Sequence, residues 1–285
     1  MMDQPPMTKP YQPRPIAAIL GAPRAIVAMV HLLPLPGSPR AAHTPREIAA
    51  HAVAEAKALA AAGFDAILLE NMHDAPYLPR AVGPEVVAAF TRAACEVRAA
   101  VSVPLGVQVL AGANEAALAV AVAAECAFIR AEGFVFASVA DEGLLAEASA
   151  GPLLRLRRAL GADGLDAGRV AIFCDIKKKH SAHALTADTS LADHAHAAEF
   201  FGADGVVVTG NATGVATPIS DLSAARKSCA LPVLAGSGAT ASSVREVLSA
   251  ADAVIVGSDL KVDGRWWNPL DPARVERFVR AARNG

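Results

Sequence analysis

The sequence of this 285-residue chain repeats one pattern from about residue 25 to its end. A short run rich in Val, Ile and Leu is followed by a loop and then by a longer stretch rich in Ala, Leu, Glu and Arg. The pattern recurs eight times, at about 33 residues per repeat, and such alternation predicts βαβ units around a parallel sheet. Eight units in roughly 250 residues are typical of a single (β/α)₈ TIM barrel of the α/β class.

Local signals set the boundaries of these elements. Thr44-Pro45-Arg46-Glu47 combines an N-cap residue, a proline at the first helical position and an acid in the first turn, and Gly63 predicts where that helix ends. The predicted strands are 25–31, 66–69, 105–110, 128–131, 170–176, 205–209, 232–235 and 253–256. The predicted helices are 45–62, 84–99, 114–124, 152–160, 191–201, 221–229, 242–249 and 272–282.

Two further features bear on the domain organisation. A doubly wound open sheet would carry a Gly-x-Gly-x-x-Gly turn after an early strand, whereas the glycine-rich turns here follow the seventh and eighth strands. The first 14 residues are polar and rich in proline, without the apolar core of a signal peptide. We therefore expect a flexible N-terminal segment over residues 1–24 and one barrel domain over residues 25–285.

Composition excludes several classes of function. Hydrophobic residues make up 53% of the chain, but a charge or a glycine interrupts each apolar run within about 18 residues, which argues against integral membrane contact. The net charge of −2 offers no basic field for nucleic acid. The cysteines are far apart, which favours free thiols in a reducing compartment, so we expect a cytoplasmic protein. A homo-oligomer remains open.

The turns after the seventh and eighth strands predict a phosphate site. Glycines let backbone N–H groups approach an anion, and barrels often hold phosphate at these two positions. The candidate phosphate-binding residues are Gly236, Ser237, Gly238, Gly257 and Ser258. The alternative is a pair of tight turns that need glycine for backbone reasons. Lys261 either adds charge to this site or lies on the surface.

Carboxylates and lysines at strand ends are the candidate catalytic groups. Because side chains alternate along a strand, Asp175, Lys177 and Lys179 should share one face, with Phe173 below them. A carboxylate beside lysines suits proton transfer or a nucleophilic lysine, although a solvated basic turn is the alternative. Glu70 and Glu132 end the second and fourth strands, and each is either catalytic or part of a structural ion pair.

Other polar side chains near the strand ends are candidates for contact with the ligand. An inward-facing Arg130 needs a partner or an anion. His180 and His183 have a spacing that zinc could use, but no third ligand is evident, so the sequence requires no metal. The ligand-contacting candidates are His31, Asn71, Asp74, Gln108, Arg130, His180, Thr209 and Asn211.

These residues together resemble a known family. The markers are His31-Leu32, Leu35 to Pro39, Glu70 to Pro76, Phe128 to Arg130, Asp175 with Lys179-His180, Thr209-Gly210, Thr213-Gly214, Gly236 to Gly238, and Val256 to Ser258 with Lys261 and Gly264. The chain resembles the BtpA/SgcQ family, which implies a phosphate-binding barrel and whose founding member is a photosystem I biogenesis protein. The sequence departs from the expected pattern at Gln108 to Asn114 and at Glu132, where asparagines would be expected.

Together these patterns predict an enzyme that acts on a small phosphorylated metabolite by lyase, aldolase or isomerase chemistry, with no cofactor required. One alternative is that the phosphate site holds the phosphate of FMN in a flavin enzyme. Another is a non-catalytic assembly factor, which predicts a large exposed apolar patch and a barrel mouth without convergent titratable groups.

Overall fold

The structure is a computed structural model that describes residues 13–164, 168–177, 181–182, 184–210 and 216–283. Its strands are β1 (Ala25–His31), β2 (Ala66–Glu70), β3 (Leu105–Gln108), β4 (Phe128–Ala131), β5 (Ser138–Ala140), β6 (Gly143–Leu145), β7 (Ala171–Lys177), β8 (Ser181–Ala182), β9 (Gly205–Val208), β10 (Val233–Ala235) and β11 (Ala253–Val256). Its α-helices are α1 (Ile16–Leu20), α2 (Pro45–Ala62), α3 (Pro84–Ala100), α4 (Asn114–Ala123), α5 (Ala150–Ala159), α6 (Leu191–Phe200), α7 (Ile219–Ser228), α8 (Val244–Ala250) and α9 (Pro272–Arg283).

Eight of the strands form a closed parallel barrel, in the order β1-β11-β10-β9-β7-β4-β3-β2. This confirms the predicted fold class. Each predicted strand and helix of the barrel is present, and its ends differ from the prediction by no more than two residues. The N-terminus of α2 shows why a local signal predicts the end of an element so closely. Thr44 and Glu47 form a capping box there: the Thr44 hydroxyl accepts from the Glu47 N–H (3.3 Å) and the Glu47 carboxylate accepts from the Thr44 N–H (2.8 Å).

The interior of the barrel has an aromatic floor. The rings of Phe128 and Phe173 lie 5.3 Å apart between their centroids and are almost fully buried. Glycines on the neighbouring strands make room for them. A Cβ atom at Gly106 would lie 2.1 Å from the Phe128 ring, and one at Gly205 would lie 2.7 Å from the Phe173 ring. The alternation that predicted Phe173 on the inward face is therefore observed.

Two elements lie outside the eight predicted units. Helix α1 falls within the segment predicted to be flexible, yet Ile16, Ile19 and Leu20 are buried and belong to the inner apolar cluster of the barrel. At five residues the helix is too short to give a periodic pattern. The second is a hairpin of β5 and β6 in the connection after β4, and β8 pairs with β5 to make a small antiparallel sheet. Across the described residues no helix is both long and apolar enough to cross a bilayer.

Candidate active site

A ring of polar side chains and glycines lies above the apolar interior, at the carboxyl end of the barrel. Strand alternation explains the ring. Each member comes two residues after an inward-facing apolar residue on the same strand, except Gln108, which comes two residues after Gly106, the glycine that leaves room for the Phe128 ring. The ring comprises His31, Glu70, Gln108, Arg130, Asp175, Gly236 and Gly257. Barrel enzymes place their chemistry at this end, where loops from different strands meet.

A cavity of about 220 Å³ opens within this ring. Three of its polar lining residues, His31, Glu70 and Arg130, come from the strands β1, β2 and β4. The five predicted phosphate-binding residues, at the ends of β10 and β11, also line it. The remaining lining residues are Met29, Met72, Ala239, Thr240, Ile255, Asp259, Gly264, Trp266 and Arg274.

The turn after β10 is packed too tightly for a side chain at its first position. A Cβ atom at Gly236 would lie 2.4 Å from a methyl of Val207 and 3.2 Å from the Arg130 guanidinium. Ser237 is fixed on both sides, since its hydroxyl accepts from the Gly210 N–H (3.0 Å) and its carbonyl accepts from the Thr217 hydroxyl (3.1 Å). Helix α8 begins only at Val244 and has seven residues. An anion at this position would therefore contact the turn after β10 and not the N-terminus of a long helix.

Arg274 is a cavity residue that the sequence analysis missed. Its guanidinium donates to the carbonyl of Asp259 (2.8 Å) and to a carboxylate oxygen of the same residue (3.1 Å), which holds it at the cavity wall. The residue lies in the first turn of α9, far along the chain from any strand end. An arginine in a first turn, where acids are favoured, was the available signal.

Lys261 lies in neither of the two positions expected for it. Its ammonium group donates to both carboxylate oxygens of Glu55 on α2, at 2.6 and 2.8 Å, and the side chain is buried. It therefore anchors the loop after β11 to the helical layer. Sequence distance hid this pairing, since 206 residues separate the two partners.

Arg130 and Asp175 form a buried bidentate ion pair. The Nε and Nη2 atoms of Arg130 donate to the two oxygens of Asp175 at 3.0 and 2.8 Å, and the side chains are 4% and 0% exposed. Burial alone would lower the pKa of Arg130, but the adjacent Asp175, with smaller contributions from Glu70 and Glu132, raises it above its usual value. Arg130 is thus a permanent cation at the cavity, and Asp175 is occupied in holding it.

Lys177 does not share the inward face with Asp175, contrary to the prediction. The register of β7 against β9 shifts between these two residues, as in a β-bulge, and the shift breaks the simple alternation of side chains. The Lys177 ammonium instead lies 2.5 Å from Asp221 on α7, and it is not among the described residues that line the cavity. Lys179, His180, His183 and Asn211 lie outside the described residues.

His31 and Glu70 meet in the cavity. The Nε2 atom of His31 lies 3.6 Å from a carboxylate oxygen of Glu70, and both side chains are almost fully buried. They end the adjacent strands β1 and β2, where they are paired in register. An imidazole beside a carboxylate at the wall of a cavity is an arrangement that can hold and transfer a proton.

Other predicted ligand-contacting residues hold the loops together. Asn71 donates to Asp74 (2.9 Å) and accepts from the Leu110 N–H (2.7 Å), while Asp74 also accepts from the Leu35 N–H (2.7 Å). Burial raises the pKa of Asp74, although these hydrogen bonds oppose it. This network joins the loops after β1, β2 and β3. Neither Asn71 nor Asp74 is among the described residues that line the cavity.

Gln108, Glu132 and Thr209 lie at or just after the ends of β3, β4 and β9, and they are also not among the described residues that line the cavity. The Thr209 hydroxyl donates to the Lys177 carbonyl (2.9 Å), and a Cβ atom at Gly236 would lie 2.9 Å from the Thr209 methyl group. The backbone N–H of Glu132 donates to the Asn114 side chain (3.2 Å). The side-chain amide oxygen of Gln108, Oε1, is buried and has no hydrogen-bond partner among the described residues.

Comparisons with known proteins agree with this architecture. The sequence model described as the BtpA family matches residues 22–284. A mitochondrial protein of Caenorhabditis elegans, named as uncharacterised, is 40% identical over 274 residues, covering 93% of this chain and 95% of that protein. The photosystem I biogenesis protein BtpA of Synechocystis is 36% identical over 263 residues, covering 91% of this chain and 88% of that protein.

Solved structures agree on the fold. A crystal structure of (S)-3-O-geranylgeranylglyceryl phosphate synthase from Thermoplasma acidophilum, in complex with its substrate sn-glycerol-1-phosphate, aligns with a TM-score of 0.59. The sequence identity is 14%, and the alignment covers 95% of this chain and 97% of that one. At this identity the similarity establishes the barrel fold alone.

Proposed function

Since this chain belongs to the BtpA family and its barrel carries a polar cavity at the carboxyl end, we propose that it is an enzyme acting on a small phosphorylated metabolite by acid–base chemistry. One observation carries the proposal. Two glycine-rich turns, at Gly236 and Gly257, line the same cavity as the His31–Glu70 pair. A phosphate held at the turns would place the rest of the molecule against groups that can move a proton.

The named substrate of a structural neighbour supports the phosphate half of the proposal. That synthase was solved with sn-glycerol-1-phosphate, a small phosphate ester, and its barrel covers nearly the whole of this chain. Barrels of this architecture commonly hold phosphate in the loops after their last two strands. The cavity volume of about 220 Å³ is below the ~300–1,000 Å³ of drug-sized sites, which favours a small metabolite.

The polar and charged groups have three roles in the proposed reaction. Glu70 and His31 take up and return a proton, because both line the cavity and lie within 3.6 Å of each other. Arg130 stabilises negative charge that develops on the substrate, as a buried cation already held in place at the cavity. Asp175 positions Arg130. Removal of a proton next to a carbonyl is a step in many lyases, aldolases and isomerases, and a paired carboxylate and imidazole suit it, so we propose this reaction type.

A non-catalytic assembly role is the second candidate, favoured by the name of the Synechocystis relative. It predicts a barrel mouth without convergent titratable groups, whereas His31, Glu70 and Arg130 meet at this one. It also predicts an exposed apolar patch. Phe200 and Phe201, 84% and 49% exposed, are the best candidates, and they lie at the C-terminal end of α6, away from the cavity. FMN binding and a cytoplasmic location stay predictions.

Ligand-dependent melting tests the proposal. Inorganic phosphate and sugar phosphates should raise the melting temperature, by the equivalent of about 2.7 kcal/mol at 100 times Kd. Ser237→Asp should abolish the increase, because it places a carboxylate where the anion binds. Ser102→Asp is the matched control, since Ser102 is exposed in the loop before β3 at the opposite end of the barrel. An undiminished increase in Ser237→Asp would refute the phosphate site, and a yellow flavin absorbance in the purified protein would favour the FMN alternative.

A further inference from the structure

Two chemically different groups of residues line the cavity. The first group consists of the turns after β10 and β11 together with Arg274, and we assign it to phosphate. The second group is apolar: Met29 and Ile255 come from β1 and β11, and Met72 and Trp266 come from the loops after β2 and β11. A phosphate ion alone would leave Met72 and Trp266 unused. The catalytic candidates His31 and Glu70 line the same cavity.

Trp266 is the largest apolar residue that lines the cavity, and none of its three described ring neighbours stacks parallel to the indole. Its ring lies 5.9 Å from that of His31 at an interplanar angle of 78°, and 4.8 Å from that of His73 at 55°. Trp267 meets it nearly at right angles, at 89°. Among the described residues no aromatic ring stacks flat against Trp266, and the side chain is only partly buried.

The loop that carries Trp266 is held at both ends. At its start, the Lys261–Glu55 ion pair anchors it to α2. At its end, Arg274 on α9 binds Asp259, which also accepts from the Ala241 N–H (2.9 Å). The indole also packs against an apolar cluster that contains Met72. A rigid aromatic wall binds a flat group without first losing conformational freedom.

One ring neighbour of Trp266, the imidazole of His73, is uncharged near neutral pH. Burial, with smaller contributions from Lys261, His51 and Arg40, lowers the pKa of His73 to about 4. The imidazole next to the indole is therefore neutral at pH 7. Methionine sulfur also contacts aromatic rings favourably, which suits Met72, a member of the apolar cluster against which the indole packs, to contact a bound ring.

We propose that the substrate of this site is a phosphate ester carrying a planar, unsaturated ring, which packs against Trp266 while the phosphate is held at the turns after β10 and β11. This inference rests on the proposed function. It makes Trp266 a specificity-determining residue, and it selects a compact ring because a long chain exceeds a cavity of about 220 Å³.

The experiment uses the two tryptophans of the chain, Trp266 and Trp267. Trp267→Phe leaves Trp266 as the sole tryptophan and keeps an aromatic ring next to it. Titration of this variant with phenyl phosphate should change the Trp266 fluorescence with saturation. Phenyl phosphate should bind about three- to tenfold more tightly than glycerol phosphate, which corresponds to the usual strength of aromatic pairing.

Trp266→Leu and Trp267→Leu form the matched pair of variants. Trp267 is 54% exposed and is not among the described residues that line the cavity. Trp266→Leu should lose most of the preference for phenyl phosphate over glycerol phosphate and should keep its melting response to inorganic phosphate, which also shows that it folds. Trp267→Leu should retain the preference for phenyl phosphate.

The outcomes separate this inference from the proposed function. If the parent protein responds to inorganic phosphate through Ser237 but does not prefer phenyl phosphate, the ring assignment is overturned and the phosphate enzyme stands. A preference that survives undiminished in Trp266→Leu also overturns it. If no phosphate compound alters melting or fluorescence, both proposals fail.

Discussion

Replacement of Arg130 by methionine tests whether the ion pair with Asp175 holds a charge at the cavity wall, as the geometry indicates. Arg130→Met keeps a side chain of similar length but leaves both oxygens of Asp175 without their charged donors, at a position with 0% exposure. Loss of one partner from a buried ion pair typically costs about 3–5 kcal/mol. At about 2–4 °C per kcal/mol for a chain of this size, the melting temperature should fall by roughly 6–20 °C.

The double variant Arg130→Met/Asp175→Val measures the coupling. With both charges replaced by apolar groups, no buried ion remains from this pair, so the double variant should be more stable than the sum of the single effects by at least about 1–2 kcal/mol. Full recovery is not expected, because Arg130 also attracts Glu70 and Glu132. Urea unfolding of the four proteins at one pH gives the cycle.

Arg92→Met is the control for the loss of an arginine. Arg92 pairs with Glu96 one helical turn away on α3, and the two side chains are 48% and 40% exposed. Such exposed pairs contribute about 0.3–0.5 kcal/mol. The reasoning fails if Arg130→Met is no more destabilising than Arg92→Met, or if the effects of Arg130→Met and Asp175→Val simply add.

Three further outcomes follow from contacts around the site. Gly236→Ala should destabilise the protein by about 1–3 kcal/mol in urea unfolding and weaken the melting response to phosphate, because the new methyl would lie 2.4 Å from Val207. Lys261→Met should lower the melting temperature more than Lys261→Met/Glu55→Met does, since the single change strands a buried carboxylate. The lowered pKa of His73 means that the unfolded chain binds its proton first, so stability should fall as the pH drops from about 6.5 to about 4, and this acid loss should be smaller in His73→Asn.

The barrel was predictable because its signals are local. Helix α2 is defined by signals at its two ends, the capping box of Thr44 and Glu47 and the glycine at position 63. Each strand of the barrel is predicted by its own apolar run. Helix α1 and the hairpin of β5 and β6 gave no such signal. A five-residue helix has little periodicity. Its position is set by packing against the inner apolar cluster of the barrel, to which several distant strands contribute.

The prediction of the site succeeded where side chains alternate regularly along a strand, and it failed where a register shift interrupts that alternation. Counting by twos placed Phe173 and Asp175 on the inward face and predicted an inward Arg130, and the structure agrees. The same count failed at Lys177, because a one-residue register shift cannot be read from side-chain order. The Lys261–Glu55 pair was out of reach for a different reason, since its two partners are 206 residues apart in the sequence. Arg274 left one signal, an arginine in the first turn of a helix, which does not by itself point to the cavity.

The contrast between the two layers of the barrel interior bears on function more than on stability. Below the cavity, Phe128 and Phe173 fill the barrel against glycines, which shows that this fold can close its interior with apolar groups. Above them, the same interior holds Arg130 and Asp175, although a buried ion pair is on average no more stabilising than an apolar pair of the same volume. A fixed cation at the wall of a cavity is instead what a bound anion or a charge developing during a reaction requires. The pair is therefore best explained by the chemistry of the cavity, and its removal should affect ligand binding even in a double variant that regains stability.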